Sequence, residues 1–425
     1  MRTAITKIIS FLGFNSYEVT TYKHPTQSIH LTTKYYQEAL AEFYQPQKIY
    51  IFLTPTVETK CPGRGDQKED RSNWHQLEEI LAQKFPDIEI VPVKNIPERN
   101  SPEDIWTIFN KVNECLEDGD RVIFDITHSF RSVPIVALLA VSYFRVVRNI
   151  TIEGLLYGAF EAKENGITPT FDLLPVVRLF DWLTATDQFL KTGNGEDLAK
   201  LLQEAEGHTQ ALGDRILEIS QGLQLLRPMD VMTAAAALPE SIEQGKPDLA
   251  RVVPPFELLL NRVVSEYGQF ALAEPKNYQV NGKAALQKQF FEIEWYAKKG
   301  LYVQAISLGR EWLPSLLCYN FELDPMDKQA REEMEILCCG GKVGERESIY
   351  RSQYKEIEES KRKMINQLWN NPPCKLANLR NDVLHSGFRK DPKSVEDIKQ
   401  TLQKIVEDLK KIAQVWGVFD EEYKS

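Results

Sequence analysis

The sequence predicts an α/β unit with a doubly wound parallel sheet over residues 1–175, followed by an all-α half. Three observations carry this. Short β-branched runs alternate with amphipathic helical stretches through the first 175 residues, strand signals fade from Val176 onward, and a 3.6-residue apolar period persists from there. With 425 residues, 43% hydrophobic and 26% charged, the chain can bury two or three substantial cores.

The predicted strands lie at 4–12, 48–54, 88–93, 121–126 and 150–158. Helical patterns separate them at 31–44, 72–85, 101–118 and 133–148. The third helix shows the logic: Ser101-Pro102 starts it, Ile105, Ile108, Phe109, Val112 and Leu116 form its apolar stripe, and Gly119 stops it. Such crossovers are right-handed. Beyond Val176, helical periodicity runs through 180–202, 211–226, 257–270, 287–317 and 395–415. Leu238-Pro239 and Pro254-Pro255 are expected to interrupt it, which divides this half into a helical linker or insertion at 176–255 and a helical domain at 256–425. Gly340-Gly341-Lys342-Val343-Gly344 lacks the spacing of a phosphate-binding loop and is expected to be a flexible connection between helices.

Composition excludes several function classes. The formal charge of −10 argues against a surface that coats nucleic acid, so any such contact is confined to a local channel. The six cysteines form no CxxC pair and have no histidine at zinc spacing, which signals neither a disulfide framework nor a metal site. No apolar run reaches the length of a membrane span and no export signal is read at the start, so a reducing, cytoplasmic setting is expected.

The densest polar chemistry is Asp125-Ile126-Thr127-His128-Ser129-Phe130-Arg131-Ser132, between the apolar run Val122-Ile123-Phe124 and the helical pattern that begins at Val133. A strand that ends in hydroxyls, an imidazole and a guanidinium where a helix begins suits an anion or nucleotide. Ligands of open parallel sheets bind beyond the strands' carboxyl ends, where strand order reverses. That rule selects the loop at 13–17 with Asn15 and Ser16, Thr54 after the second strand, Thr127, His128, Ser129 and Arg131 after the fourth, and Tyr157 after the fifth. Asp125 is equally readable as a structural cap, Thr127 and Ser129 as helix-entry caps, and His128 as an interior histidine. Arg131 suits a bidentate phosphate clamp.

The stretch from Asp125 to Pro134 resembles the Asp-x-Thr-His-Gly motif of CRISPR-associated proteins, and Ser10-Phe11-Leu12-Gly13, Tyr17, Tyr22, Trp106 and Tyr157-Gly158-Ala159 add to the likeness. The resemblance covers most of residues 1–175 and implies a CARF domain, a Rossmann-like sensor that binds cyclic oligoadenylate across a two-fold dimer. Ser129 stands where that family has glycine, which alters the close backbone approach a glycine permits.

A second signal is Leu379-Arg380-Asn381-Asp382-Val383-Leu384-His385-Ser386-Gly387, on a helical stripe that includes Leu376. Arginine, four residues and histidine is weak by itself. With Asn381 beside the arginine and the CARF-like region upstream, the segment is similar to the motif of HEPN ribonucleases. Residues five apart on a helix are separated by about 140° and about 7.5 Å, so one helix does not unite Arg380 and His385. The resemblance implies that two protomers do, in a composite site of a homodimer or higher homo-oligomer. It assigns His385 as proton donor to the leaving oxygen, Arg380 to the charge on the phosphorane, and Asn381 to orienting a phosphate or Arg380. The nucleophile is the 2′-hydroxyl of single-stranded RNA, which calls for no metal and no cofactor beyond the activating cyclic oligoadenylate.

Two alternatives remain open at this point: a first domain that also cuts its cyclic ligand through Thr127, His128 or Arg131, and a ligand-gated interaction protein with a silent helical half. Glu292, Glu294, Trp295 and Tyr296 read as helix packing, Glu311 as salt-bridged, and Lys361-Arg362-Lys363 as a solvated helix face or a local RNA guide.

Overall fold

The computed structural model of the protein describes residues 5–63, 68–99, 101–128, 133–205, 207–370, 376–388 and 390–419. Two compact units divide the chain, residues 1–180 and 181–425.

The first unit runs β1 (Thr6–Phe11), β2 (Thr20–Lys23), β3 (His30–Thr33), α1 (Tyr36–Tyr44), β4 (Lys48–Phe52), α2 (Pro55–Thr59), α3 (Asn73–Lys84), β5 (Glu89–Val93), α4 (Pro102–Cys115), β6 (Arg121–Asp125), α5 (Val133–Val147), β7 (Thr151–Gly158) and β8 (Ile167–Asp172). These strands form one eight-stranded sheet in the order β3-β2-β8-β7-β6-β1-β4-β5. Period-2 alternation splits its core between two faces. Ile9, Phe11, Phe52 and Phe124 point to the side that holds Ile108, Val112 and Phe144 of α4 and α5. Ile8, Ile49, Ile51 and Ile123 point to the side that holds Leu40, Leu77 and Leu81 of α1 and α3. Pro92, which has no N–H to donate, is accommodated because β5 is an edge strand.

The sheet is mixed, not wholly parallel as the strand–helix alternation predicts. The block β7-β6-β1-β4-β5 is parallel, but β8 runs antiparallel to β7, and β2 runs antiparallel to β3. The strands β2, β3 and β8 escape a pattern search because they are short and threonine-rich, TTYK, HLTT and ITPTFD, and lack apolar runs. One local signal does announce β8: Asn165-Gly166, with φ of 51° and 81°, makes the tight turn that pairs Glu164 with Ile167.

The helix α6 (Leu174–Thr192) follows β8, and the second unit continues with α7 (Glu196–Glu204), α8 (Gln210–Gln224), α9 (Pro228–Val252), α10 (Phe256–Tyr267), α11 (Tyr278–Lys298), α12 (Tyr302–Asn320), α13 (Lys328–Cys338), the short pair β9 (Lys342–Val343) and β10 (Arg346–Glu347), α14 (Arg351–Glu356), α15 (Glu359–Asn370), α16 (Leu376–Leu384) and α17 (Val395–Val415). At its centre α12 packs against α11, α13, α16 and α17. Trp312 is wholly buried there and donates its indole N–H to the Leu286 carbonyl at 2.9 Å.

Two local expectations are corrected. Leu238-Pro239 does not break the chain's helical course: α9 runs through both Pro239 and Pro247. A proline removes one i→i−4 bond, and the buried Val231, Met232, Ala235 and Leu238 hold the helix against that loss. The glycine-rich segment at 340–344 contributes to the β9–β10 hairpin, with positive φ at Gly340, Gly341 and Gly344. No helix among the described residues is long and apolar enough to cross a membrane.

Candidate functional site

After β1 the chain proceeds outward to β4 and β5, then returns to lay β6 on the other side of β1, so strand order reverses between β1 and β6. The crevice beyond their carboxyl ends receives the loop at 12–17 and the segment from Asp125 to His128. A hydrogen bond spans the reversal: Ser10 Oγ donates to Asp125 Oδ2 at 2.6 Å. The other oxygen, Oδ1, accepts the Thr127 backbone N–H at 2.8 Å. Asp125 is fully buried, and burial pushes its carboxyl up to about 6, against the pull of those donors. This carboxylate is therefore spent on shaping the crevice.

Thr127 and His128 are the predicted ligand residues that the structure draws into contact with neighbouring strand ends. Thr127 Oγ1 accepts the Gly158 N–H at 2.8 Å, which ties the end of β6 to the end of β7. The imidazole of His128 lies 4.4 Å from the Tyr17 ring, centroid to centroid. Its Nε2 is buried and meets no hydrogen-bond partner among the described residues. Burial lowers its pKa to about 4, so the ring is neutral at pH 7 and offers a hydrogen bond and a stacking face instead of charge.

The loop after β1 is pinned by Tyr17, which belongs to the motif resemblance, and by two amides that the sequence does not flag, Asn73 and Gln37. Tyr17 Oη accepts the Gly13 N–H at 2.9 Å, and burial raises its phenol well above the ordinary tyrosine value. Asn73 on α3 donates to the carbonyls of Gly13 and Asn15 at 3.0 and 2.9 Å. Gln37 on α1 donates to Ser10 Oγ and to the Phe11 carbonyl, both at 3.0 Å. Neither amide stands in a recognisable motif, because each acts across more than 20 residues of chain.

The remaining predicted ligand residues are placed as follows. Asn15 and Ser16 are exposed on the loop after β1. Tyr157 in β7 donates its phenol proton to Glu161. Thr54 is buried and caps α2 by accepting the Val57 N–H at 3.3 Å. Glu98 accepts the Thr56 N–H at 2.7 Å, so a carboxylate of the protein already faces that helix start, and these contacts hold it below the usual range. The end of β4 is thus less suited to an anion than the end of β6. Ser129 and Arg131 lie outside the described residues.

Gly158 is closely enclosed at the end of β7. A Cβ there falls 2.9 Å from Cδ2 of the Tyr36 ring, which is itself fully buried. Gly158→Ala is expected to lower stability by about 1–3 kcal/mol through overpacking. The check is a fall in the urea midpoint at unchanged slope.

In the second unit, α16 carries Arg380 and Asn381, and Arg380 Nη1 donates to Asn381 Oδ1 at 3.2 Å. His385 follows the helix directly, is exposed, and donates its backbone N–H to the Asn381 carbonyl at 2.9 Å. Ser386 and Gly387 take φ of 55° and 71°, and the Gly387 N–H returns to the Asp382 carbonyl at 3.1 Å, so the chain turns sharply after the histidine. Arg380 also lines a cavity of about 590 Å³ with residues of α11, α12 and the start of α9.

Other conspicuous charges are engaged. Glu311 pairs with Arg331 at 2.5 Å and with Arg310 at 2.5 Å, and these guanidiniums hold its carboxyl below the ordinary range despite burial. In the basic cluster on α15, Lys363 pairs with Glu359 at 2.7 Å and Arg362 donates to the Ile357 carbonyl at 2.8 Å.

Comparison with known proteins bears on residues 7–161 and 178–274. Residues 7–161 match the family described as CRISPR system endoribonuclease Csx1, CARF domain. Residues 178–274 match CRISPR-associated protein MJ1674, second domain. CRISPR-associated protein MJ1674 of Methanocaldococcus jannaschii is 31% identical over 124 residues, which is 28% of this chain and 19% of that protein. The matches support a CRISPR-associated protein with an amino-terminal CARF domain and a function tied to type III CRISPR systems. Both matched ranges end by residue 274, ahead of the segment that holds Arg380 and His385.

Proposed function

We propose that the protein is a cyclic oligoadenylate-activated, metal-independent endoribonuclease that cuts single-stranded RNA in type III CRISPR antiviral defence and works as a homodimer. The observation that carries this reading is the end of α16. An exposed imidazole follows the helix immediately, and an arginine one turn earlier opens onto a cavity. In the reaction the 2′-oxygen attacks the adjacent phosphorus and the bond to the 5′-oxygen breaks. His385 protonates that leaving oxygen, and Arg380 opposes the charge that builds on the non-bridging oxygens. The 2′-hydroxyl proton passes to solvent or to the partner's imidazole, and the products are a 2′,3′-cyclic phosphate and a 5′-hydroxyl.

The activating ligand belongs at the crevice between β1 and β6, where Thr127, His128 and the loop at 13–17 meet. A neutral His128 suits an adenine face or ribose better than a phosphate. Activation then requires that the ligand bind one dimer state more tightly than the other.

The test is cleavage of a fluorescently quenched RNA by the full chain, with and without cyclic tetra- or hexa-adenylate. We expect ligand-dependent cleavage, no cutting of DNA of the same sequence, and no loss in EDTA. His128→Ala is expected to raise the ligand concentration needed for half-activation about tenfold, the loss of roughly one good contact. Cleavage that ignores the ligand overturns the gating, and cleavage of DNA overturns the 2′-hydroxyl mechanism. Turnover of the cyclic ligand that disappears in His128→Ala favours a ligand-cutting first domain instead.

A further inference from the structure

The cavity beside Arg380 has a lining that strand scission alone does not call for. It holds about 590 Å³, within the range of small-molecule sites, and lies wholly inside the second unit. Leu226, Pro228, Met229, Leu308 and Met326 give it apolar walls. Three uncharged polar side chains also line it: Gln289 of α11 and Ser307 of α12, at 5% and 9% exposure, and Ser315, whose hydroxyl is engaged by Arg331 and the Glu311 carbonyl. Ser307 Oγ is buried and meets no hydrogen-bond partner among the described residues. An unpaired buried hydroxyl costs free energy unless something outside the chain completes it.

Most of the charges around the cavity face an opposite charge: Lys276 lies 3.9 Å from Asp230, and Arg227 lines the same end. Arg331 is neutralised where it stands: it pairs with Glu311 at 2.5 Å and donates to Ser315 Oγ at 3.0 Å and to the Pro325 carbonyl at 3.3 Å. That network stiffens one wall and leaves no net charge on it. Arg380, by contrast, hydrogen-bonds the neutral Asn381. A flat, uncharged heteroaromatic ring with an attached anion suits the apolar walls, the Gln289 and Ser307 side chains and the Arg380 guanidinium together, and the Lys276–Asp230 pair adds no net charge.

We propose that this cavity receives the nucleobase next to the scissile phosphate, and that Gln289 and Ser307 read its edge. They are specificity-determining residues, and through them cleavage becomes base-selective. The proposal rests on reading α16 as the RNA-cleaving helix. It also assigns a task to the junction of α8 and α9, which supplies Leu226, Pro228 and Met229.

The experiment separates the two ideas. Binding of fluorescein-labelled 2′-O-methyl homopolymers of A, C and U, which resist 2′-hydroxyl chemistry, is followed by anisotropy on the full chain, beside cleavage of the matching RNAs. The wild type is expected to prefer one base by about tenfold, and Gln289→Ala with Ser307→Ala to reduce that preference to within about threefold, as expected for losing two neutral hydrogen bonds. Ser307→Ala alone is expected to leave the melting temperature unchanged or higher, because its hydroxyl has no partner to lose. A purely structural role does not shift base preference at constant stability. Equal binding of all three homopolymers by the wild type, or a preference unchanged in the double variant, overturns the base pocket. Selective binding without cleavage leaves the pocket standing and overturns the nuclease reading, and cleavage without selectivity does the reverse.

Discussion

His385→Ala is expected to lower RNA cleavage by about 10²–10⁴-fold, the span of general acid catalysis, while cyclic oligoadenylate binds the first unit as before. The 5′-oxygen is a poor leaving group unless it is protonated as its bond to phosphorus breaks. His385 is the exposed imidazole at the end of α16, and its backbone is fixed by the bond to the Asn381 carbonyl and by the turn through Ser386 and Gly387. Alanine keeps that turn and removes only the ring. Arg380→Ala is expected to cost about 10²–10³-fold, comparable to losing one donor from an oxyanion site. Arg380→Lys recovers part of this, because it restores charge without the planar fork. A mixture of His385→Ala and Arg380→Ala protomers is informative: a composite site across a two-fold axis regains activity in the heterodimer. Full activity in His385→Ala removes this histidine from the mechanism.

The second large effect is on stability. Glu292 of α11 is 1% exposed, and neither carboxylate oxygen meets a hydrogen-bond partner among the described residues. Burial pushes its carboxyl well above the ordinary value. The folded state therefore holds a proton that the unfolded chain releases in the ordinary carboxylate range. Stability is complete below that range and declines as pH rises toward the raised folded value. Glu292→Gln, which keeps the shape and cannot ionise, is expected to match the wild type at acidic pH. At pH 8 it should exceed it, because the folded wild type must then hold a proton that the unfolded chain has released, at about 1.4 kcal/mol for each pH unit by which the folded value is raised. The measurement is melting temperature against pH, where each kcal/mol corresponds to about 2–4 °C in a unit of this size. Parallel wild-type and variant curves from pH 5 to 9 refute it. The sequence places Glu292 in a helix-packing stretch beside Trp295 and Tyr296, and that packing is what strips the carboxyl of water: Tyr296 Oη bonds the Leu223 carbonyl at 2.7 Å and Trp295 Nε1 bonds Glu266 at 2.7 Å.

What could be read from the chain and what could not divides along the range of the interactions. The strands β1, β4, β5, β6 and β7 and the helices α1, α3, α4 and α5 are legible because each writes its own apolar period over its own residues, whereas the short α2 escapes and the helical pattern read from residue 31 begins only at Tyr36, after the strand β3. The strands β2, β3 and β8 are not legible, because their stability comes from pairing with neighbours that lie next to them only in the fold. Pro239 misleads for the same reason: its local cost is real, but burial of the surrounding α9 residues outweighs it.

At the candidate ligand site, residue types alone draw attention to Asp125, Thr127 and His128, and the reversal of strand order explains why that segment matters. Residue types do not reveal that Asp125 is consumed by Ser10 and the Thr127 N–H, that Thr54 is consumed as a cap, or that Gln37 and Asn73 hold the opposite loop. On α16, the spacing of Arg380 and His385 is a property of the sequence, as is the sharp turn that Gly387 permits. Their relation to a cavity built by α9, α11 and α12 is not, since its walls come from residues up to 158 positions apart in the chain, Leu226 to Leu384. The sequence by itself determined the local periodicities, the order of elements and the chemistry on offer at each loop, because these depend on neighbours along the chain. Only the tertiary structure decided which polar groups are spent on holding the fold and which remain for a ligand, because burial and hydrogen-bond partners are set by residues that the chain keeps far apart until it folds.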